Sequence, residues 1–356
     1  MATSVQYCAT GRVGSGVVRE TARRRSGKGY HAMSRIWSGA VALMLLASLG
    51  AGRGSVAAQD ATPAPNEYAL PELALTVTDT EIGGVPAELA AGRYLVTATV
   101  DVSEANENFG AVGFVQLPAG RTVADLAALA GLGEGNAPAG GGDGTPMAAD
   151  MAMGTPAAGG DNPFAWLYET YIAGGPGGDS GGTYQAIVNL EPGEYAVWGD
   201  DPDAVQPAVP LTVTGSLDAS ALAESTADVT IREVKTADGF AFELDGTLTA
   251  GRQLIRIVNE SDQPHFVVDQ LSSEPITPEQ LFAFFDSFET GTPVAGVTEE
   301  QFSSGIYAST QSAGTTQWVI ADLEAGYHVI GCYVPDPANE LIPHAFEGMI
   351  EVVEVE

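Results

Sequence analysis

Gly326-Tyr327-His328-Val329-Ile330-Gly331-Cys332 runs into eleven residues and then into His344-Ala345-Phe346-Glu347-Gly348-Met349. The first part reads as a strand, β-branched and aromatic between glycines. Side chains alternate along a strand, so His328, Ile330 and Cys332 share one face while Tyr327, Val329 and Gly331 share the other. Cys332 therefore points the way the apolar residues point, at the very end of the strand. Pro335, Pro337 and Pro343 stiffen the loop that follows and help to hold His344 in place. His328 lies four residues before Cys332, about 13 Å away at about 3.3 Å per residue, too far to join the same ion. It is expected to be a core histidine with a hydrogen-bond partner of its own.

A second histidine, His265, stands far upstream in Asn259-Glu260-Ser261-Asp262-Gln263-Pro264-His265. With Cys332, His344 and Met349 it completes two imidazoles, a thiolate and a thioether. Thiolate and thioether are soft and favour Cu(I), whereas imidazole serves both oxidation states, so this set suits one electron-transfer copper. The competing expectation is a small buried cysteine, a surface histidine and a methionine that fills the core.

The chain is written twice. Ala91-Gly92-Arg93 before an apolar strand matches Ala250-Gly251-Arg252 before Leu254-Ile255-Arg256-Ile257-Val258. Phe114-Val115-Gln116-Leu117 matches Val268-Asp269-Gln270-Leu271, and Leu190-Glu191-Pro192-Gly193 matches Leu323-Glu324-Ala325-Gly326. Short β-branched runs between Gly, Pro and Asp turns predict an all-β protein, an antiparallel sandwich in each half. Each half also carries a helical insertion. Thr277-Pro278-Glu279-Gln280 is a capped helix start, followed by Leu281, Phe284, Phe285 and Phe288 at helical spacing; Thr122, Leu126 and Leu129 form a weaker version. Residues 131–161 are a Gly/Ala/Pro-rich tract without the means to bury a core.

Gly-x-aromatic-x-x-x-Cys, a loop and His-x4-Met is similar to the C-terminal signature of the cupredoxins, the blue type 1 copper fold. Asn259 with Pro264-His265-Phe266-Val267-Val268 resembles the plastocyanin segment that carries the first histidine, and the His344 to Met349 spacing resembles that of copper nitrite reductases. The resemblance covers 227–356 and extends more weakly to 71–215. It implies two tandem Greek-key sandwiches, with His265, Cys332 and His344 as equatorial ligands and Met349 axial. In the family the apolar rim around such a histidine, here Leu341, Ile342, Pro343, Ala345 and Phe346, is where a redox protein docks. The loop from Cys332 to His344 is longer than in most single-domain relatives. Nitrite reductases place a histidine beside the cysteine; here Gly331 and Tyr333 flank it, and the three histidines beyond residue 58 are too few for a three-copper cluster as well. In the first repeat Ala111 stands opposite His265, Gly199 opposite Cys332 and about Pro210 opposite Met349, so that copy is expected to be metal-free.

Residues 1–37 hold seven basic residues against one acid, Glu20, followed by an apolar run from Ser38 to Gly50 and by Val56-Ala57-Ala58. Charged region, short apolar core and small-residue cleavage site form a secretory signal in the order export requires. Met33 is an alternative start. The expected boundaries are 1–58 leader, 59–70 linker, 71–215 degenerate sandwich and 216–356 copper-binding sandwich, the last secreted, periplasmic or at the cell surface with the rest. The whole chain has 46 acids against 14 basic residues. Cleavage removes eight of the basic residues and leaves a charge of about −39, which excludes nucleic acid and anionic membranes as partners. It also leaves one cysteine, so no internal disulfide can form, and an exported thiol must be buried, paired between chains or bound to metal.

Two further motifs carry nothing. Gly178-Asp179-Ser180-Gly181-Gly182 spells a serine-protease nucleophile, but no histidine lies between Ala58 and Ser180 to serve as base. Met147, Met151 and Met153 sit in the low-complexity tract. The expected function is single-electron transfer by one type 1 copper, without enzymatic turnover. The alternatives are a metal-free binding or structural sandwich and an extracytoplasmic copper carrier.

Overall fold

The computed structural model describes residues 66–103, 108–126, 165–200, 206–217, 225–290, 292–339 and 341–356. The leader, the Gly/Ala/Pro-rich tract with its three methionines, and Leu129 lie outside the described residues, as does the side chain of Phe288. No described helix is long and apolar enough to cross a membrane.

The first half contributes β1 (Glu72–Thr78), β2 (Ile82–Gly83), β3 (Glu88–Ala90), β4 (Gly92–Asp101), β5 (Phe109–Gln116), helix α1 (Ala165–Tyr168), β6 (Gly177–Asp179), β7 (Thr183–Leu190), β8 (Gly193–Gly199) and β9 (Val209–Thr214). The second contributes β10 (Val229–Thr236), β11 (Gly239–Asp245), β12 (Gly251–Asn259), β13 (His265–Ser272), α2 (Pro278–Thr290), β14 (Phe302–Gln311), β15 (Thr316–Leu323), β16 (Gly326–Gly331), β17 (Pro335–Asp336), β18 (Ile342–Pro343) and β19 (Ile350–Val355). β1 alternates exposed and buried and β10 buried and half-buried along most of their length, the pattern of strands with one face on a core. Leu73, Leu75 and Val77 meet Phe114, Val197 and Leu211 in one apolar core; Ile231, Ile255 and Ile257 meet Val267, Ile306 and Ile330 in the other.

Two features differ from a pair of separate antiparallel sandwiches. β1 runs parallel to β4, β10 parallel to β12, and β3 parallel to β9, because in each pair the chain crosses to another strand before returning. The two halves are also joined: β15 pairs with β7 through Trp318–Ile187, Val319–Ala186 and Ile320–Gln185, giving one eight-stranded sheet ordered β11-β10-β12-β15-β7-β4-β1-β2. This pairing gives two strands that would otherwise be open edges their hydrogen-bond partners. Leu95, Ile187, Leu254 and Trp318 form a small buried cluster across the seam.

The opposing sheets are β3-β9-β8-β5-β6 and β14-β13-β16-β19. Helix α2 starts as its sequence predicts. Thr277 N–H bonds Gln280 Oε1 and Gln280 N–H bonds Thr277 Oγ1, and Leu281, Phe284 and Phe285 pack onto the outer face of the second sandwich with Phe302 and Val329. In the first half, residues 123–126 make a helical turn with Leu126 buried.

Candidate metal centre

β13 begins with His265 and β16 ends just before Cys332, and the two strands pair antiparallel, with Val268 opposite Gly331. That register brings the start of one strand to the end of the other, 67 residues away in sequence. After Cys332 the eleven-residue loop folds on itself: Pro335 pairs with Pro343 and Asp336 with Ile342. The extra length is taken up as this short ribbon, and the chain returns to the strand end it left. The backbone then closes tightly. Ala345 N–H bonds the Cys332 carbonyl at 2.6 Å, Met349 N–H bonds the His344 carbonyl at 2.9 Å, and Cys332 N–H reaches the Met349 carbonyl at 3.2 Å. Gly348 makes the last turn possible at φ 110°, a left-handed conformation that residues with a Cβ rarely adopt.

Three donor atoms result, close enough to face one ion. Cys332 Sγ lies 3.5 Å from His265 Nδ1 and 3.7 Å from His344 Nδ1, and the two Nδ1 atoms are 2.9 Å apart. A point equidistant from all three is about 2 Å from each, close to ordinary metal–nitrogen lengths and slightly inside metal–sulfur ones. All three residues are fully buried, and among the described residues they form the one group of this kind. Met349 is fully buried in the same apolar cluster as Cys332.

The fold is cupredoxin-like. Two strand-paired sandwiches repeat one plan, and a histidine, a cysteine and a second histidine converge at the loop end of the second.

The surroundings determine which ring nitrogens are free. Gln263 Nε2 donates to Asp336 Oδ1 at 2.7 Å, which turns Gln263 Oε1 toward His344 Nε2 at 3.1 Å. His344 Nε2 must then carry the hydrogen. Ser261 Oγ lies 2.7 Å from His265 Nε2 and also faces two acceptors, Asn259 Oδ1 and the Gln263 carbonyl. Its single hydrogen serves one of three acceptors within reach, and in either tautomer the His265 ring is held at Nε2 by Ser261. Both Nδ1 atoms therefore face each other and the sulfur, and the His344 Nδ1 lone pair is free in the neutral ring. Burial, and then the field of His344, holds His265 well below the usual histidine range; burial takes His344 down to about 4 against the opposing pull of Asp336 and Asp262. Burial also pushes the Cys332 thiol up. Two imidazole nitrogens 2.9 Å apart beside a sulfur, all three residues buried, make a donor set that fits a bound metal ion.

Phe240 of β11 closes one side, its ring centroid 5.0 Å from that of His265 and 4.2 Å from that of His344. Deeper in, Glu233 is fully buried and accepts from Gln311 Nε2 at 2.9 Å; burial raises its pKa to about 8. Ser261, Gln263, Phe240, Glu233 and Gln311 went unnoticed in the sequence. Only Asn259, which organises the turn through Ser261 and Gln263, carried a signal there. His328 is the core histidine expected: its Nδ1 lies 2.5 Å from Asp269 Oδ2 and its Nε2 2.9 Å from the Glu324 carbonyl. Ser180 bonds the backbone of Val102 on both sides, a turn-forming role.

In the first sandwich the equivalent corner is filled. Ala111 packs on Gly177, where an added Cβ would come within 2.4 Å of the alanine's. Tyr307 of β14 donates to the Asp200 carbonyl, and Asp200 accepts from Thr310 N–H and Oγ1.

No protein-family model matches the sequence, and no curated protein matches it. Similar solved structures include auracyanin from Roseiflexus castenholzii, 18% identical over 36% of this chain and 96% of that one at a TM-score of 0.23. Copper nitrite reductase from Nitrosomonas europaea is 11% identical over 80% of this chain and 93% of that one, at 0.20. A multi-copper oxidase from Pediococcus acidilactici is 10% identical over 82% and 60%, also at 0.20. These overlaps are loose, and the fold assignment stands on the strand plan and donor set of the chain itself.

Proposed function

We propose that His265, Cys332, His344 and Met349 of the second sandwich would hold one type 1 copper and that the protein carries single electrons. The observation that carries this reading is the triangle of one sulfur and two Nδ1 atoms, sealed from water. A copper ion supplies one-electron exchange between its two oxidation states. The chain's own residues orient and insulate: Ser261 and Gln263 hold the two rings at their Nε2 atoms, and Phe240 and the apolar core exclude solvent.

Complete burial of all four side chains favours a resident ion over one handed on to an acceptor. Reductase or oxidase chemistry of the kind named for some matched structures would need a second metal centre. The one further described histidine, His328, already bonds Asp269 and Glu324, and Gly331 and Tyr333 flank the cysteine. The half-buried rim of Leu341, Ile342, Pro343 and Phe346 is the proposed approach for a redox protein, and the N-terminal leader supports an extracytoplasmic location.

Adding Cu(II) to the purified protein tests this. One equivalent should bind and produce an intense visible band from thiolate-to-copper charge transfer, absent from Cys332→Ala, with no turnover of nitrite or dioxygen. A colourless protein that binds Cu(I) tightly would favour delivery, and a protein that binds no copper, its melting temperature unchanged, would leave only a structural module.

A further inference from the structure

The first sandwich lacks the donor residues, yet one of its side chains braces the loop that carries His344. In the β17–β18 ribbon Pro335 and Pro343 face each other, and the bond from His344 N–H to the Val334 carbonyl at 3.0 Å shows which kind of pair they form. Theirs is the non-hydrogen-bonded position of an antiparallel ladder, where neither proline costs a ladder bond. The Pro335 carbonyl consequently points away from β18. The group that meets it comes from the other half of the molecule: Tyr168, the last residue of α1, donates from Oη to the Pro335 carbonyl at 2.6 Å, across 167 residues of sequence. The Tyr168 ring packs against the apolar cluster that contains Cys332, Val334 and Met349. Burial, then the fields of Cys332 and Asp336, raise the phenol's pKa, so the hydroxyl keeps the hydrogen it donates.

We propose that Tyr168 is a positioning residue for the metal centre: by pinning Pro335 it fixes the ribbon whose other strand leads directly into His344, so the first sandwich sets the rigidity of a site it does not ligate. The inference rests on the reading of the second sandwich as a metal site. Its physical content is restraint. His344 is held at Nε2 by Gln263 and through its backbone by Val334, and both supports depend on where the ribbon lies: Gln263 is anchored on Asp336, the residue after Pro335. A ribbon free to lift would carry the His344 ring with it, and an ion bound there would be released faster and change oxidation state with more rearrangement.

Tyr168→Phe keeps the ring and deletes the hydroxyl; Tyr168→Leu removes both, and its difference from Tyr168→Phe shows what lost packing alone does. In the metal-free full-length protein, hydrogen–deuterium exchange should rise about tenfold in the 333–344 segment of Tyr168→Phe, with β7 and β15 unchanged. After loading with one equivalent of Cu(II), the same variant should release the metal to a chelator about tenfold faster. Its charge-transfer band should be broadened or shifted, while the stoichiometry stays at one. Exchange, release rate and spectrum all equal to the parent protein would overturn the inference while leaving the copper reading intact. Failure of the parent to bind copper would remove that reading, and unchanged exchange in the metal-free variant would still count against the brace. Equal exchange changes throughout the molecule would show a global stability effect and would also overturn it.

Discussion

His265 Nδ1 and His344 Nδ1 lie 2.9 Å apart, each ring held at its other nitrogen, His265 by Ser261 and His344 by Gln263. Both Nδ1 atoms thus point toward the Cys332 sulfur, 3.5 Å and 3.7 Å away, and a cation among the three would replace the ring-to-ring contact.

Binding of an ion to the native state alone must stabilise the fold. At a free metal concentration one hundred times the dissociation constant, the gain is about 2.7 kcal/mol. Calorimetry with and without one equivalent of Cu(II) should show the melting temperature rise and fall back on chelation. Cys332→Ser should fold and show no such rise; a variant that aggregates on expression would count against the independence of fold and site.

Acid should weaken the metal-free protein in a defined window. His344 titrates at about 4 in the folded chain and near the ordinary value of about 6.5 when unfolded, so the unfolded state binds more protons between those limits. The stability this neutral histidine contributes is fully present above about 6.5 and is lost as pH falls through about 4. Urea midpoints for the parent and for His344→Gln should diverge over that range and run parallel above it.

Glu233 acts in the opposite sense. Its folded pKa is raised to about 8 by burial, against about 4.5 unfolded, so the native state holds the extra proton and stability declines as pH climbs from about 4.5 to about 8. Glu233→Gln should remove this decline, which is at most about 5 kcal/mol by the conversion of about 1.4 kcal/mol per pKa unit. Equal denaturation midpoints for parent and variant at pH 5 and pH 9 would refute it.

Met349 is fully buried, and leucine has nearly its volume, so Met349→Leu should cost less than about 1.5 kcal/mol. With the thioether gone and the thiolate kept, the visible band should persist while the reduction potential shifts. Loss of the band altogether would place Met349 in a different role.

Asp200 ties the two halves by accepting from Thr310 N–H and Oγ1 while buried, with its own pKa raised to about 6 by that burial. Asp200→Ala strands the Thr310 N–H and should cost about 2–3 kcal/mol. Denaturant unfolding reads this directly. A change under about 0.5 kcal/mol would mean that the interface tolerates the gap.

The strand periods, the doubled pattern, the capped helix and the residues of the candidate metal centre, His265, Cys332 and His344, are written in residue order, because alternation, turn chemistry and soft-donor identity are local properties. Asn259 marked the turn that carries His265, but nothing in sequence distinguished Ser261 or Gln263 from ordinary loop residues. The parallel pairing of β1 with β4, the seam between β7 and β15, the capping of both Nε2 atoms and the reach of Tyr168 to Pro335 were decided only when the chain closed. Each joins groups whose meeting depends on register, on which edge is left unpaired, and on where a carbonyl points after a proline. Sequence determined which donor groups the candidate site contains; tertiary structure decided how firmly they are held, because rigidity comes from contacts between residues that have no neighbourhood until they pack.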